Sequence, residues 1–258
     1  MTNDQLTIKV VRCVNYKNDS SWNYKVNLYP YNTLYFVMDG DGYIGVNGQT
    51  IPLEKGYVYL IPANTVYSCW CDSYIHKLYI EVSVEVVPGY DIFSSIYSVR
   101  NRQYDVEDTS KLVKVNEIFS PKNMLYLKGE VTKVLSEFVD QAYSLPDTGI
   151  LEFRNILNDI EENLSGRLRI SDIALKHGWN CSVLSRKFKK AFNCTLKRYV
   201  ETLLINKIKQ DLIITNKTIK EIAADYQFSD QYYLSSFFKK HVNVSPSHYR
   251  LEHNSRQP

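Results

Sequence analysis

Two short runs carry side chains whose types and spacing suit hydrogen bonding to the base edges and phosphates of a nucleic acid. In the first, Ser182, Ser185, Arg186 and Lys189 fall at i, i+3, i+4 and i+7, one face of a helix. In the second, Gln231, Tyr232, Ser235 and Lys239 face outward. Arginine can bond guanine through two donors, and glutamine can read adenine. Arg186, Lys187, Lys189 and Lys190 come with no acid among them, which sets this face apart from an ordinary solvated one. Metal chemistry finds no comparable set. His76 is the only histidine in the first 150 residues. The five cysteines, Cys13, Cys69, Cys71, Cys181 and Cys194, are odd in number and lack paired C-x-x-C spacing. Free reduced thiols fit that pattern better than a zinc framework. Cys69-Trp70-Cys71 has two thiols on one face of an alternating strand, an arrangement more often core than ligand. No catalytic residue, metal or cofactor is expected.

The elements that must present the two runs are legible around them. Ile173-Ala174 recurs as Ile222-Ala223, 49 residues on, and Phe188-Lys189-Lys190 recurs as Phe238-Lys239-Lys240, 50 residues on. Each copy reads as helix, tight turn, helix, the helix-turn-helix unit. In the first, Ile170 to His177 is helical, Gly178 breaks it, and Asn180 or Ser182 caps the next helix. In the second, Ile219 to Tyr226 leads to the capping pair Ser229-Asp230. Leu184, Phe188 and Ala191 form the inward stripe of one reading helix, and Leu234, Phe237 and Phe238 that of the other. Between the copies, Leu196, Tyr199, Val200, Leu203, Ile208 and Leu212 mark a helix of about 17 residues, roughly 26 Å long. Successive major grooves on one face of a duplex lie about 34 Å apart, so such a helix can set two readers into neighbouring grooves.

The remainder of the chain differs in charge and pattern. Residues 150–258 hold 18 Lys+Arg against 11 Asp+Glu, whereas the rest holds 13 against 17. Only one end is therefore suited to a polyanion. Sixteen of the 21 tyrosines precede residue 150. From Leu34 to Val82, short β-rich runs alternate with turn residues: Leu34–Met38, Tyr43–Val46, Gln49–Leu53, Tyr57–Ile61, Val66–Cys71 and Ile75–Val82. Asp39-Gly40-Asp41-Gly42 reads as a turn, and Asn47-Gly48 as a type I′ hairpin turn. Strands so spaced predict a sandwich or barrel. Beyond Val99 the strand pattern stops, and Val131, Val134, Leu135 and Phe138 predict an amphipathic helix. Breaker residues 144–149 mark a linker. The fold class expected is α+β in two domains, a β-domain over 1–145 and an all-α domain over 146–258. No 18-residue apolar run is present to cross a membrane, and the polar N-terminus argues against secretion. A cytoplasmic protein is expected.

Two resemblances sharpen this reading. Gly42-x5-Gly48, Leu53-Glu54-Lys55-Gly56 and Leu60-Ile61-Pro62-Ala63-Asn64-Thr65 resemble a small-molecule-sensing cupin barrel. Tyr67 stands where a metal-binding cupin commonly places its last histidine, so the resemblance implies a binding pocket rather than a metalloenzyme. Ile173-Ala174, Gly178, Leu184-x-Arg186-x-Phe188-Lys189-Lys190, Tyr199, Ile219-x-Glu221-Ile222-Ala223, Phe228-Ser229-Asp230, Phe238-Lys239-Lys240 and Ser245-Pro246-x-x-Tyr249-Arg250 are similar to the AraC/XylS family of bacterial transcription regulators. That likeness covers about residues 152–252. It implies a DNA-binding regulator, most commonly an activator, with base readers at Ser182, Ser185, Arg186, Gln231, Tyr232 and Ser235. Gln227 replaces a usual glycine, as do Asn193 and Asn243, and Leu204 and Ser236 each replace a frequent arginine. The last change implies weaker base contact by the second unit.

The expected partners are double-stranded DNA and a small-molecule effector, with RNA polymerase and a second copy of the chain as further candidates. Trp22, Tyr24, Tyr35, Trp70 and His76 are the candidate effector contacts, because rings with polar tips suit a small polar ligand such as a sugar. Two other readings stay open at this point. One is a cupin-type enzyme fused to a DNA-binding module. The other is a barrel serving only dimerisation or protein interaction.

Overall fold

The computed structural model describes residues 6–96, 98–139 and 148–254. The chain divides into two compact units, Met1–Val86 with Tyr90–Leu145, and Val87–Gly89 with Pro146–Pro258. Of the expected linker, residues 144–147 lie outside the described residues.

The first unit is an antiparallel sheet with two helices. Its strands are β1 (Thr7–Asp19), β2 (Asn23–Leu28), β3 (Asn32–Val46), β4 (Gln49–Leu53), β5 (Tyr57–Ile61), β6 (Val66–Val87), β7 (Tyr90–Asp91) and β8 (Arg100–Gln103). The order β1-β6-β3-β5-β8 forms the spine, with β2 and β7 on β6 and β4 on β3. A strand thus lies beyond Val99, contrary to the sequence expectation. Its residues Arg-Asn-Arg-Gln are polar and mostly exposed, and pairing with β5 alone defines it.

The Asp39–Gly42 segment is likewise not a turn. It runs inside β3, where the pairing with β6 slips between Val37 and Asp39 and again between Gly40 and Gly42. Gly40 has φ +99°, and a Cβ there would lie 2.2 Å from the Tyr74 carbonyl oxygen. Bulges of this kind bend a strand and change which side chains face inward. Tyr35 and Val37 before the bulges, and Ile44 and Val46 after them, therefore join one buried cluster. The alternate residues Leu34 and Phe36 are fully buried on the other face. There α1 (Val106–Glu117) packs against β1 and β3, and against α2 (Pro121–Ser136). Val131, Val134, Leu135 and Phe138 are all buried, as their spacing predicts.

The second unit is all helical: α3 (Thr148–Leu151), α4 (Arg154–Glu162), α5 (Ile170–Lys176), α6 (Cys181–Phe192), α7 (Leu196–Ile214), α8 (Ile219–Asp225), α9 (Gln231–Val242) and α10 (Pro246–Asn254). The pairs α5–α6 and α8–α9 are the two helix-turn-helix units. α7, 19 residues and roughly 28 Å, joins them, contacting α6 and α10.

Candidate nucleic-acid interface

Each reading helix is set by a cap, a left-handed residue and an aromatic anchor. Asn180 Oδ1 accepts from the Ser182 and Val183 amides at the start of α6, and Asp230 Oδ1 does the same for Tyr232 and Tyr233 at α9. Upstream, Gly178 turns the chain at φ +68° in the first unit, and Gln227 does so at φ +54° in the second. Asn193 and Asn243 end α6 and α9 in the same left-handed region, which asparagine tolerates better than most residues. Phe188 and Phe238 are wholly buried beneath the two helices. The Phe188 ring meets Phe153 at 5.2 Å, Phe192 at 4.2 Å and Tyr199 of α7 at 5.2 Å. Phe238 meets Tyr249 at 5.4 Å. Asp159 adds a polar tie between α4 and the end of α5, accepting from Lys176 Nζ and, at 3.1 Å, pairing with His177 Nε2. The Lys176 ammonium beside it holds its carboxyl below the ordinary value.

These anchors leave Ser182, Ser185, Arg186 and Lys189 exposed together on α6. On α9, Tyr232 and Lys239 are exposed, whereas Gln231 and Ser235 are half-buried. Ser235 Oγ also donates to the Gln231 carbonyl at 2.7 Å. Phe237, expected inward, is only half-buried and sits against Phe228 at 5.4 Å. Of the four cations on α6, Lys187 is turned aside. Its Nζ pairs with Glu152 at 2.8 Å and lies 5.0 Å from the Trp179 ring. Sequence reasoning passed over Tyr233, which is exposed beside Tyr232; only its place one step along the same helix could have signalled it.

The two helices differ electrostatically at the end they would present. A helix N-terminus carries a partial positive charge, and neither helix has an acid in its first turn. The α6 cap is a neutral asparagine. The α9 cap is a carboxylate, held below its ordinary pKa by the Tyr233 amide. The N-terminus of α6 therefore carries an unopposed dipole, and that of α9 does not.

In the first unit the five ring residues expected to meet an effector do not gather at one place. Trp22 and Tyr35 are buried in a single cluster and meet edge to face at 6.2 Å, with Tyr24 packed against that cluster. Trp70 lies between the buried Cys69 and Cys71 in β6, and its ring stacks on Tyr43 at 5.5 Å, on the opposite face. His76, between buried Ile75 and Lys77, bonds Asn15 at 2.9 Å on that same opposite face. β3 and β6 slip against each other in register, but the inward residues Cys69, Cys71, Ile75, Lys77 and Tyr79 of β6 share one parity, which puts Trp70 and His76 outside the cluster. Tyr67 is buried with its hydroxyl 3.2 Å from that of Tyr35. Among the described residues no group of three or more His, Cys, Asp or Glu is placed to hold a metal.

Comparison with known proteins agrees with the geometry of the second unit. Residues 173–252 match a family described as a helix-turn-helix domain. The transcriptional activator AarP of Providencia stuartii is 38% identical over 96 residues, 37% of this chain and 71% of that one. The Msm operon regulatory protein of Streptococcus mutans is 22% identical over 249 residues, covering 92% of this chain and 90% of that one. Among solved structures, ToxT from Vibrio cholerae superposes with a TM-score of 0.54 over 96% of this chain and 98% of that one, at 16% identity. That likeness is one of fold, a β-sheet unit followed by a helical one. The chain belongs to the AraC/XylS family of transcription regulators. It is a DNA-binding transcriptional regulator. Among the described residues no helix is long and apolar enough to cross a membrane.

Proposed function

We propose that the protein is a cytoplasmic, effector-responsive transcription activator. Its first unit binds a small molecule, and its second unit reads DNA through α6 and α9. The observation that carries this reading is the buried ring cluster of the first unit, where Trp22, Tyr35, Tyr67 and Tyr79 lie against the buried polar residues Lys77, Asn27 and Glu81. A mixed aromatic and polar interior is the lining that orients small ligands. AarP is named an activator, and ToxT has been solved with an unsaturated fatty acid bound. A sugar and an acid are both candidate effectors. An effector acts here only by favouring one of two states of the protein, and activation proceeds through contact with RNA polymerase. The first unit has no catalytic role in this reading.

A homodimer is a companion reading favoured by one observation. Ile118, Phe119 and Leu125, at the junction of α1 and α2, are exposed, Phe119 at 88%. Isolated apolar residues are ordinary on a surface, but three neighbouring ones suit association. Selection of duplex sequences from a random pool by the purified protein, with and without a metabolite mixture, tests the function. A single enriched motif whose recovery changes with metabolites is expected. Recovery without sequence preference would refute the reading.

A further inference from the structure

Lys77 is placed where a lysine is seldom found. It is 2% exposed in the middle of β6, opposite Val37 of β3 and Tyr16 of β1. Its Nζ has no hydrogen-bond partner. Three rings surround it instead, Trp22 at 3.5 Å, Tyr35 at 5.0 Å and Tyr16 at 5.8 Å from the centroids. Among the described residues no carboxylate is paired with it. The Cys69 and Cys71 thiols favour its charged form, and burial outweighs them, bringing its pKa down to about 7. The carboxylates Glu81 and Asp91 are by contrast satisfied: Glu81 accepts from the Tyr79 hydroxyl, and Asp91 from Asn32 Nδ2 and the Val84 and Phe93 amides.

An ammonium has three donors and no acceptor, and a dry, unpaired one opposes folding. A neutral side chain of the same length would fill the site without that cost. The ring above it offers partial relief through its negative face. Trp22 lies between β1 and β2 on a tight turn, where its amide bonds the Asp19 carbonyl, which also accepts from the Cys71 thiol. The β2–β6 pairing that follows is itself irregular between Tyr24 and Asn27. Trp22 itself belongs to no strand, so its ring is the one contact of Nζ that can move aside without unpairing a ladder residue.

We propose that Lys77 anchors an effector through a carboxylate, with the Trp22 ring as the group that the acid displaces. The proposal rests on the effector-binding reading above and adds the ligand's class: an acid with an apolar or aromatic body, not a sugar. A carboxylate supplies the acceptors the ammonium lacks, and the tyrosine rings receive the body. Charge-assisted hydrogen bonds in a dry site are the strong kind.

The test uses the full-length protein and a panel of aliphatic and aromatic monocarboxylates, each paired with its own primary amide. Isothermal titration calorimetry and tryptophan fluorescence are read together. At least one acid is expected to bind tenfold or more tightly than its amide, with a change in Trp22 emission. Lys77→Met should erase that preference. Trp22→Ala, which retains the ammonium, should keep it and lose the emission change, so the proposal stays testable should Lys77→Met fail to fold. A panel in which no acid outbinds its amide, or a preference that survives in Lys77→Met, overturns the proposal. If amides or other neutral compounds bind equally in wild type and Lys77→Met and still alter DNA affinity, the acid assignment falls while effector sensing stands.

Discussion

Replacing Lys77 by methionine should stabilise the first unit, and by an amount that depends on pH. Methionine keeps the length of the chain and removes the charge. Lysine in the unfolded chain keeps its ordinary pKa of 10.5, whereas burial brings it to about 7 in the fold. Each pH unit of that gap is worth about 1.36 kcal/mol, so burying the charged form costs the fold on the order of 5 kcal/mol. The sign follows from proton counting. Between about pH 7 and 10.5 the unfolded chain holds more protons at this site than the folded one, so wild-type stability rises with pH. From pH 6.5 to 8.5 the rise amounts to roughly 2 kcal/mol. The other titrating groups facing Nζ are Tyr16, Tyr35, Cys69 and Cys71, and both proteins share them. Lys209 of the second unit, brought down to about 8 by burial, is also common to both. The difference between the two proteins therefore isolates Lys77. Urea unfolding in a Trp179→Phe background, followed by the emission of Trp22 and Trp70, reports on the first unit. The advantage of Lys77→Met should shrink by about 2 kcal/mol between pH 6.5 and 8.5. Parallel profiles, or a Lys77→Met variant less stable than wild type at pH 6.5, would refute the reasoning.

Three further outcomes concern DNA and the fold that presents the readers. Arg186→Ala should cost about 1–3 kcal/mol on the preferred duplex and relax choice at one base pair; equal losses on all sequences, measured by competition titration, would reduce Arg186 to a phosphate contact. Replacing Ser185 and Arg186 together should weaken binding more than replacing Gln231 and Tyr232, because the α9 cap is acidic and Ser236 offers no guanidinium. A footprint retained only over the second half-site in wild type would reverse that order. Phe188→Ala removes a ring packed on three others and should lower the second unit's stability by about 3–5 kcal/mol, read from the Trp179 emission in urea.

The two helix-turn-helix units were legible because their signals are local. Asn180, Gly178 and Asp230 act on the adjacent turn, and the apolar stripe through Leu184 and Phe188 needs only one helix to be seen. The tolerance of Asn193 and Asn243 for left-handed backbone was equally local. β1 and β2 were missed for the opposite reason. Thr7–Asp19 carries Lys9, Arg12, Lys17 and Asp19 and is only partly buried, so its identity as a strand depends on β6 lying beside it. The Asp39–Gly42 bulges look in sequence like the turn residues they are made from. Lys77 was hidden by a sound rule, that lysine points to water; its neighbours Ile75 and Tyr79 share its face, and that face became the interior only once β1 and β3 closed on β6. Trp70 and His76 lie one residue out of step on the same alternation, on the other face of β6.

The single helix α7 has a consequence for how the protein can change over evolutionary time. It contacts α6 and α10 and is the helix that joins the two helix-turn-helix units along the chain. At 3.6 residues per turn, one inserted residue would rotate the distal reader by about 100° and advance it by about 1.5 Å. Seven inserted residues would restore the facing to within about 20° but push the reader along by about 10 Å. A loop such as residues 163–169 imposes no such periodic penalty. Length changes in α7 are thus quantised in phase, and the relative facing of the two helix-turn-helix units is inherited with the length of that one helix.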